Sequence, residues 1–125
     1  MPHSLTVLNK SKYLHITVTG ENTAENVKNY MSEVRSKCRE LQCPNVLIEE
    51  NLNGPGLGTL TMFKLVSEGV QNTRRVLQRI AYVDVNPEHR IESMQFAETV
   101  AVNRGVNIRV CSTVAEAEKW LEEQE

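Results

Sequence analysis

The sequence lacks the features that mark membrane-spanning and nucleic-acid-binding proteins. No apolar run approaches the ~20 residues of a membrane span. The formal net charge of -2 argues against bulk binding to nucleic acid or anionic membranes, which needs a basic face. The N-terminal residues have neither a basic start nor a long apolar stretch, so no signal peptide is expected. We therefore expect a cytoplasmic protein with no membrane span and no nucleic-acid partner.

Cysteine is scarce, and its positions argue against a disulfide framework or a structural zinc site. The chain has three cysteines, Cys38, Cys43 and Cys111, and an odd number cannot all pair within one chain. The spacing from Cys38 to Cys43 fits neither a Cys-x-x-Cys redox motif nor a zinc hook. We therefore expect three reduced thiols in or near the core.

The composition and the apolar pattern predict one domain of the α/β class. The chain of 125 residues is 40% hydrophobic and 24% charged, which fits a single globular domain. Apolar alternation and amphipathic stripes predict the order β-β-α-β-α-β-α-β-α. A short turn between the first two strands predicts an antiparallel hairpin, and the later alternation predicts a mixed sheet whose later strands are parallel. Trp120 and Leu121 are expected to anchor the last helix on that sheet.

The stretch 45–62 has the pattern of a binding site. An apolar run at 46–48 ends in Glu49 and Glu50, a loop with three glycines follows, and Thr59 opens an apolar helix as its expected N-cap. Open α/β sheets place binding sites in such loops, at the carboxyl ends of strands. The loop matches neither a dinucleotide fingerprint nor a P-loop, and a tight turn that needs a positive φ is the structural alternative.

The chain resembles the STAS domain, and within it the stand-alone SpoIIAA-like proteins. The resemblance rests on the element order and on residues 16–20 (Ile-Thr-Val-Thr-Gly), 56–58 (Gly-Leu-Gly), 97–98 (Ala-Glu) and 120–121 (Trp-Leu). It implies a four- or five-stranded sheet, with about four helices mainly on one face. It also implies a regulatory or interaction module without catalysis of its own.

One position departs from the family pattern. In anti-sigma-factor antagonists, a serine just before Gly-Leu-Gly accepts phosphate from a partner kinase, and its state selects the partner. Pro55 stands at the corresponding place in this chain. Proline has no hydroxyl, so the resemblance implies the fold without the phosphorylation switch at this position.

The helix after the loop carries more apolar residues than docking on a sheet requires. At 100° per residue they spread over more than half of the helix circumference. Either neighbouring elements cover the excess, or it contacts a partner. These apolar residues are Leu60, Met62, Phe63, Leu65, Val66 and Val70.

Two functions follow from this surface. The first is a non-catalytic interaction module that binds a protein partner or a second copy of itself. The second is a small carrier that holds an apolar or lipid-like ligand in a pocket beside Phe63. Both use the same predicted contact residues: Asn53, Gly54, Pro55, Gly56, Leu57, Gly58, Thr59, Leu60, Met62 and Phe63.

An enzymatic function is the third alternative. Glu49, Glu50, Asp84 and His89 are all predicted at or just beyond the carboxyl ends of strands, where carboxylates and a histidine can bind a divalent metal or act as acid and base. Their spacing matches no metal motif, and no nucleophile elbow is present. We therefore predict no catalytic residues, no metal site and no cofactor.

Overall fold

The computed structural model describes residues 3–123. Its strands are β1 (Ser4–Asn9), β2 (Leu14–Glu21), β3 (Asn45–Asn53), β4 (Arg79–Asp84) and β5 (Ile108–Val110). Its helices are α1 (Ala24–Glu40), α2 (Thr59–Val76), α3 (Ile91–Asn103) and α4 (Val114–Glu122). The element order predicted from the sequence is confirmed.

The five strands form one mixed sheet in chain order, β1-β2-β3-β4-β5. β1 and β2 pair antiparallel as the predicted hairpin, and the remaining neighbours pair parallel. Each of α1, α2 and α3 connects one parallel strand to the next, always stepping in the same direction across the sheet. Because such crossovers are right-handed, all three helices are expected on the same face, and they pack there. This is the SpoIIAA-like architecture that the resemblance implied.

The two faces of the sheet have separate cores. The larger core joins the sheet to α1, α2 and α3 and includes Ile16, Ile48 and Ile80. The smaller core lies on the opposite face under α4 and includes Leu47 and Leu121. Since side chains alternate along a strand, Ile48 and its neighbour Leu47 point to different cores.

The apolar spacing in the sequence predicts that α1 buries a stripe of Val27, Met31, Val34, Cys38 and Leu41, and the buried side of the helix differs from it. The residues buried on α1 are Asn26, Tyr30, Val34 and Cys38. Val27 and Met31 are only half-buried, and Leu41 is exposed. Asn26 and Tyr30 carry polar atoms, so an apolar pattern does not reveal them. Both bond inside the fold: the Asn26 amide donates to the Glu21 carbonyl (2.9 Å), and the Tyr30 hydroxyl donates to Glu50.

The last helix is anchored on the second face of the sheet. The spacing of Thr113 and Glu116 predicts a capping box, and the Thr113 hydroxyl accepts from the Glu116 backbone amide (3.1 Å) and caps α4. Leu121 is buried, whereas Trp120 is only partly buried and lies under the Arg79 guanidinium, 4.7 Å from the ring centre. Leu121 is therefore the main anchor.

The end of α2 also differs from the prediction. The apolar run from Leu77 to Val85 predicts the fourth strand, but the Leu77 amide donates to the Thr73 carbonyl (2.8 Å) and Leu77 ends the helix. The sequence predicts that Gly105 terminates the third helix, and Gly105 follows α3 with a φ of +89°. Within residues 3–123, no helix combines the length and the apolar character that a membrane span needs.

Candidate functional site

The predicted loop lies at the carboxyl edge of the sheet and is held from two sides. Gly54 has a φ of +103°, so one of the three glycines does require positive φ. The His89 ring nitrogen Nε2 lies 2.8 Å from the Gly54 carbonyl oxygen, and the Asn22 amide donates to the Pro55 carbonyl (2.9 Å). These contacts tie the loop to the segments after β2 and β4.

The start of α2 corrects the prediction for Thr59. Gly58 occupies the N-cap position, with no side-chain capping bond, and its carbonyl accepts from the Met62 amide (3.0 Å). Thr59 is the first helical residue, because the extended backbone of Gly58 already supplies the cap geometry.

A cavity of about 590 Å³ lies between α2 and the sheet, with α1 and α3 on its flanks. Its walls are largely apolar and include Met62, Val66, Val70 and Met94, and Gly69 borders it from the middle of α2. Six of the ten predicted contact residues line it: Pro55, Gly56, Leu57, Gly58, Thr59 and Met62.

The other predicted contact residues do not line the cavity. Leu60 is 66% exposed, and Phe63 is exposed at the helix surface with the Arg104 guanidinium 5.3 Å from its ring centre. Phe63 does not line this cavity, which borders Met62 on the sheet side of α2. Asn53, the last residue of β3, and Gly54, which follows it in the loop, are both exposed.

The end of the cavity beneath the loop is polar. Glu50 lies on β3, Asp84 ends β4 and His89 follows in the loop after β4. The side chains of all three border the cavity and are almost fully buried. The Tyr30 hydroxyl donates to Glu50, and Tyr82 bonds to the same carboxylate. We call these five residues the polar cluster.

The polar cluster contains an Asp–His pair. The His89 nitrogen Nδ1 lies 2.7 Å from an Asp84 carboxylate oxygen, while Nε2 faces the Gly54 carbonyl. The other Asp84 oxygen accepts from the backbone amide of Asn86 (3.0 Å). Because both nitrogens face acceptors, the ring can donate both hydrogen bonds only as an imidazolium, with a proton on each nitrogen.

Burial and hydrogen bonding change the acidity of the polar cluster. Burial raises the pKa of Glu50, and the bonds from Tyr30 and Tyr82 partly oppose this. Burial and the Glu50 charge raise the pKa of both tyrosines well above their usual value, so both keep their hydroxyl protons. Burial lowers the pKa of His89, but the Gly54 carbonyl and Asp84 outweigh it, and the net shift is upward. Such perturbed groups in a cavity are typical of functional sites.

The four residues predicted at the strand ends lie on two different faces of the sheet. Glu50, Asp84 and His89 come together, and their potential ligand atoms all lie within 4.8 Å of one another. Glu49 points to the opposite face, where it bonds to His15 (2.8 Å). A metal would bind His89 through one ring nitrogen and would displace the contact of that nitrogen with Asp84 or with the Gly54 carbonyl, while the other nitrogen could keep its hydrogen bond.

Sequence reasoning missed Tyr30, Tyr82 and the cavity itself. Tyr82 sits inside an apolar run in β4, and Tyr30 lies one position before Met31 of the predicted stripe. Glu50 was the residue that could have revealed both tyrosines. A buried carboxylate needs hydrogen-bond donors from facing elements, and tyrosine hydroxyls are suitable donors.

Comparison with known proteins supports the fold. The sequence matches no protein-family model and no curated protein. The structure is similar to that of an uncharacterized protein from the DUF3478 family with a SpoIIAA-like fold, from Shewanella loihica PV-4. The two chains share 16% identity, the match covers 96% of this chain and 94% of that chain, and the TM-score is 0.52. The protein therefore has a SpoIIAA-like fold, and the resemblance stated from the sequence is confirmed at that level.

Proposed function

We propose that this protein is a non-catalytic carrier that holds one small apolar or lipid-like molecule in the cavity beside α2. The observation that carries the proposal is the cavity of about 590 Å³ with apolar walls and one polar end. Ligand sites in proteins commonly enclose roughly 300–1,000 Å³ and combine apolar walls with a few polar groups.

The composition of α2 supports this proposal. Met62, Val66 and Val70 border the cavity, which accounts for part of the apolar excess read from the sequence. Flexible, polarizable methionines such as Met62 and Met94 suit a wall that adapts to different apolar ligands. Gly69 adds space in the same wall, since a Cβ built there meets only the Arg35 guanidinium, at 3.9 Å.

The absence of catalysis is part of the proposal. A general base needs a free lone pair near its substrate, whereas both His89 nitrogens bond to protein acceptors. Burial raises the pKa of Cys38 to about 12 and that of Cys111 to about 11, which disfavours the reactive thiolate.

Filling the cavity from α2 tests the proposal. Gly69→Leu places a side chain at the cavity wall without a close Cβ contact, and replacing a helical glycine favours the helix by up to about 1 kcal/mol. Gln71→Leu is the matched control, because it adds the same side chain at an exposed position of α2 outside the cavity.

Nile red, an uncharged apolar fluorophore, is a suitable probe. We expect saturable binding of one dye per chain to the unmodified protein and to Gln71→Leu. Gly69→Leu should bind at least about tenfold more weakly, which corresponds to about 1.4 kcal/mol. No saturable binding to the unmodified protein, or equal binding to both variants, would contradict the proposal.

The second candidate function is an interaction surface formed by the loop and the start of α2. It is favoured by Leu60, which is 66% exposed beside the loop. Leu60→Glu should leave the fold intact and weaken self-association or partner binding through that surface. Light scattering of this variant beside Gln71→Glu, which adds the same charge elsewhere on α2, separates the two functions, because neither change reaches the cavity.

A further inference from the structure

We propose that the polar end of the ligand is a positively charged hydrogen-bond donor, such as a primary ammonium group, and that it binds Glu50. This inference rests on the proposed carrier function and adds the chemical class of the ligand. It follows from the donors, acceptors and charges of the polar cluster.

Glu50 retains capacity to accept hydrogen bonds. A carboxylate offers about four acceptor positions. The polar cluster fills part of this capacity, through Tyr30 and Tyr82. The carboxylate is 3% exposed and borders the cavity, so a ligand in the cavity is well placed to supply a further donor.

The donors of the polar cluster, in contrast, are already used. Both tyrosine hydroxyls bond to Glu50. The His89 nitrogens face Asp84 and the Gly54 carbonyl, at 2.7 and 2.8 Å. A carboxylate or phosphate head group at this end would have to break one of these bonds to obtain a donor, whereas an ammonium group brings its own donors.

The charge of the polar cluster favours the same head group. Two carboxylates, Glu50 and Asp84, face one imidazolium, His89, so the ionised cluster has one negative charge in excess. Water is largely excluded there, and charges interact more strongly than at the surface. A cation compensates the excess charge, and an anion adds to it.

Cationic groups elsewhere along the cavity do not change this balance at the polar end. Arg35 borders the cavity, but its guanidinium contacts Thr73 (3.5 Å), which lies about 20 Å along α2 from Thr59 at 1.5 Å per residue. Lys28 and Arg90 also border the cavity, but both are exposed, where charges are screened by water. The amides that open α2 favour an anion, so the decisive experiment compares the two head groups directly.

Displacement of Nile red by amphiphiles with the same chain tests the inference. Decylamine, which is an ammonium ion at neutral pH, and decanoate are titrated below the concentrations at which they form micelles. We expect decylamine to displace the dye at a concentration at least about tenfold lower, as one charge-assisted hydrogen bond implies. Glu50→Gln should reduce this preference to within about threefold. Glu49→Gln, which removes the neighbouring carboxylate on the other face, should retain it.

Each outcome has a distinct consequence. If decanoate displaces the dye as well as decylamine does, the inference is overturned and the carrier function stands. If the dye does not bind, the carrier function fails. If Glu50→Gln retains the full preference, Glu50 is not the binding group. If Glu50→Gln does not fold, the comparison in the unmodified protein still decides the head group, and changes in the amide resonances of Glu50 and Tyr82 must accompany decylamine binding.

Discussion

Removal of the Tyr30 hydroxyl tests the energetics of the polar cluster. Tyr30 is 1% exposed and Glu50 is 3% exposed, so water cannot readily replace the hydroxyl that donates to the carboxylate. A hydrogen bond to a charged group contributes roughly 1.5–3 kcal/mol and a neutral one roughly 0.5–1.5 kcal/mol. Tyr30→Phe should therefore lower the free energy of unfolding by about 2 kcal/mol when Glu50 is ionised.

The cost of Tyr30→Phe should also depend on pH. Burial raises the pKa of Glu50, so the folded protein holds this proton at pH values where the unfolded chain, with a pKa of about 4.3, has lost it. The contribution of Glu50 to stability therefore falls as the pH rises from about 4.3 through the folded-state pKa. Tyr30 limits this fall by stabilising the carboxylate. Its removal should cost about 1 kcal/mol more near pH 9 than near pH 4.

Urea denaturation followed by circular dichroism measures these differences. Four proteins form the cycle: the unmodified chain, Tyr30→Phe, Glu50→Gln and the double variant, with an expected coupling of roughly 0.5–3 kcal/mol. Tyr13→Phe is the control, because its hydroxyl bonds to a half-buried carboxylate, Glu118, at 3.2 Å on the other face of the sheet. The reasoning is refuted if Tyr30→Phe costs the same at both pH values and in the Glu50→Gln background.

Four further predictions concern other parts of the chain. Leu121→Ala should cost roughly 2–5 kcal/mol in urea denaturation, and the partly buried Trp120→Ala should cost less than the 3–5 kcal/mol typical of a fully buried indole. Leu60→Glu should leave the free energy of unfolding within about 0.5 kcal/mol of that of the unmodified protein, and a larger loss would show that Leu60 is part of the core. Cys38 should resist iodoacetamide in the native protein at about pH 8, because burial raises its pKa to about 12; rapid labelling in a peptide map would contradict this. Thr59 should carry no phosphate after incubation with an anti-sigma-type kinase, and stoichiometric phosphate there would restore a phosphorylation switch.

The fold could be predicted because its signals are local. Apolar alternation marks β2, and right-handed crossovers then fix which face the first three helices cover. The error on α1 occurred where polar side chains replace apolar ones in the core. Asn26 and Tyr30 belong to the buried side of α1, yet their polar atoms hid them from a search for apolar spacing.

The location of the site could be predicted, but not its interior. The glycine loop and the acids Glu50 and Asp84 mark the carboxyl edge of the sheet. The cavity depends on how far α2 stands from the sheet, which is a property of packing among α1, α2 and α3 rather than of any one segment. The sequence pattern also could not tell which apolar residues of α2 face inward, and the structure places Met62 at the cavity and Phe63 outside it.

The most direct test of the carrier function is an isotope-filtered NOE spectrum of the labelled protein with unlabelled 1-decanol, an uncharged amphiphile. Our account predicts NOEs from the alkyl chain to the methyl groups of Met62, Val66 and Met94, which border the cavity. It also predicts that these NOEs disappear in Gly69→Leu and persist in Gln71→Leu. NOEs confined to exposed Leu60, or no NOEs at saturating decanol, would contradict the claim that the space beneath α2 is a ligand site.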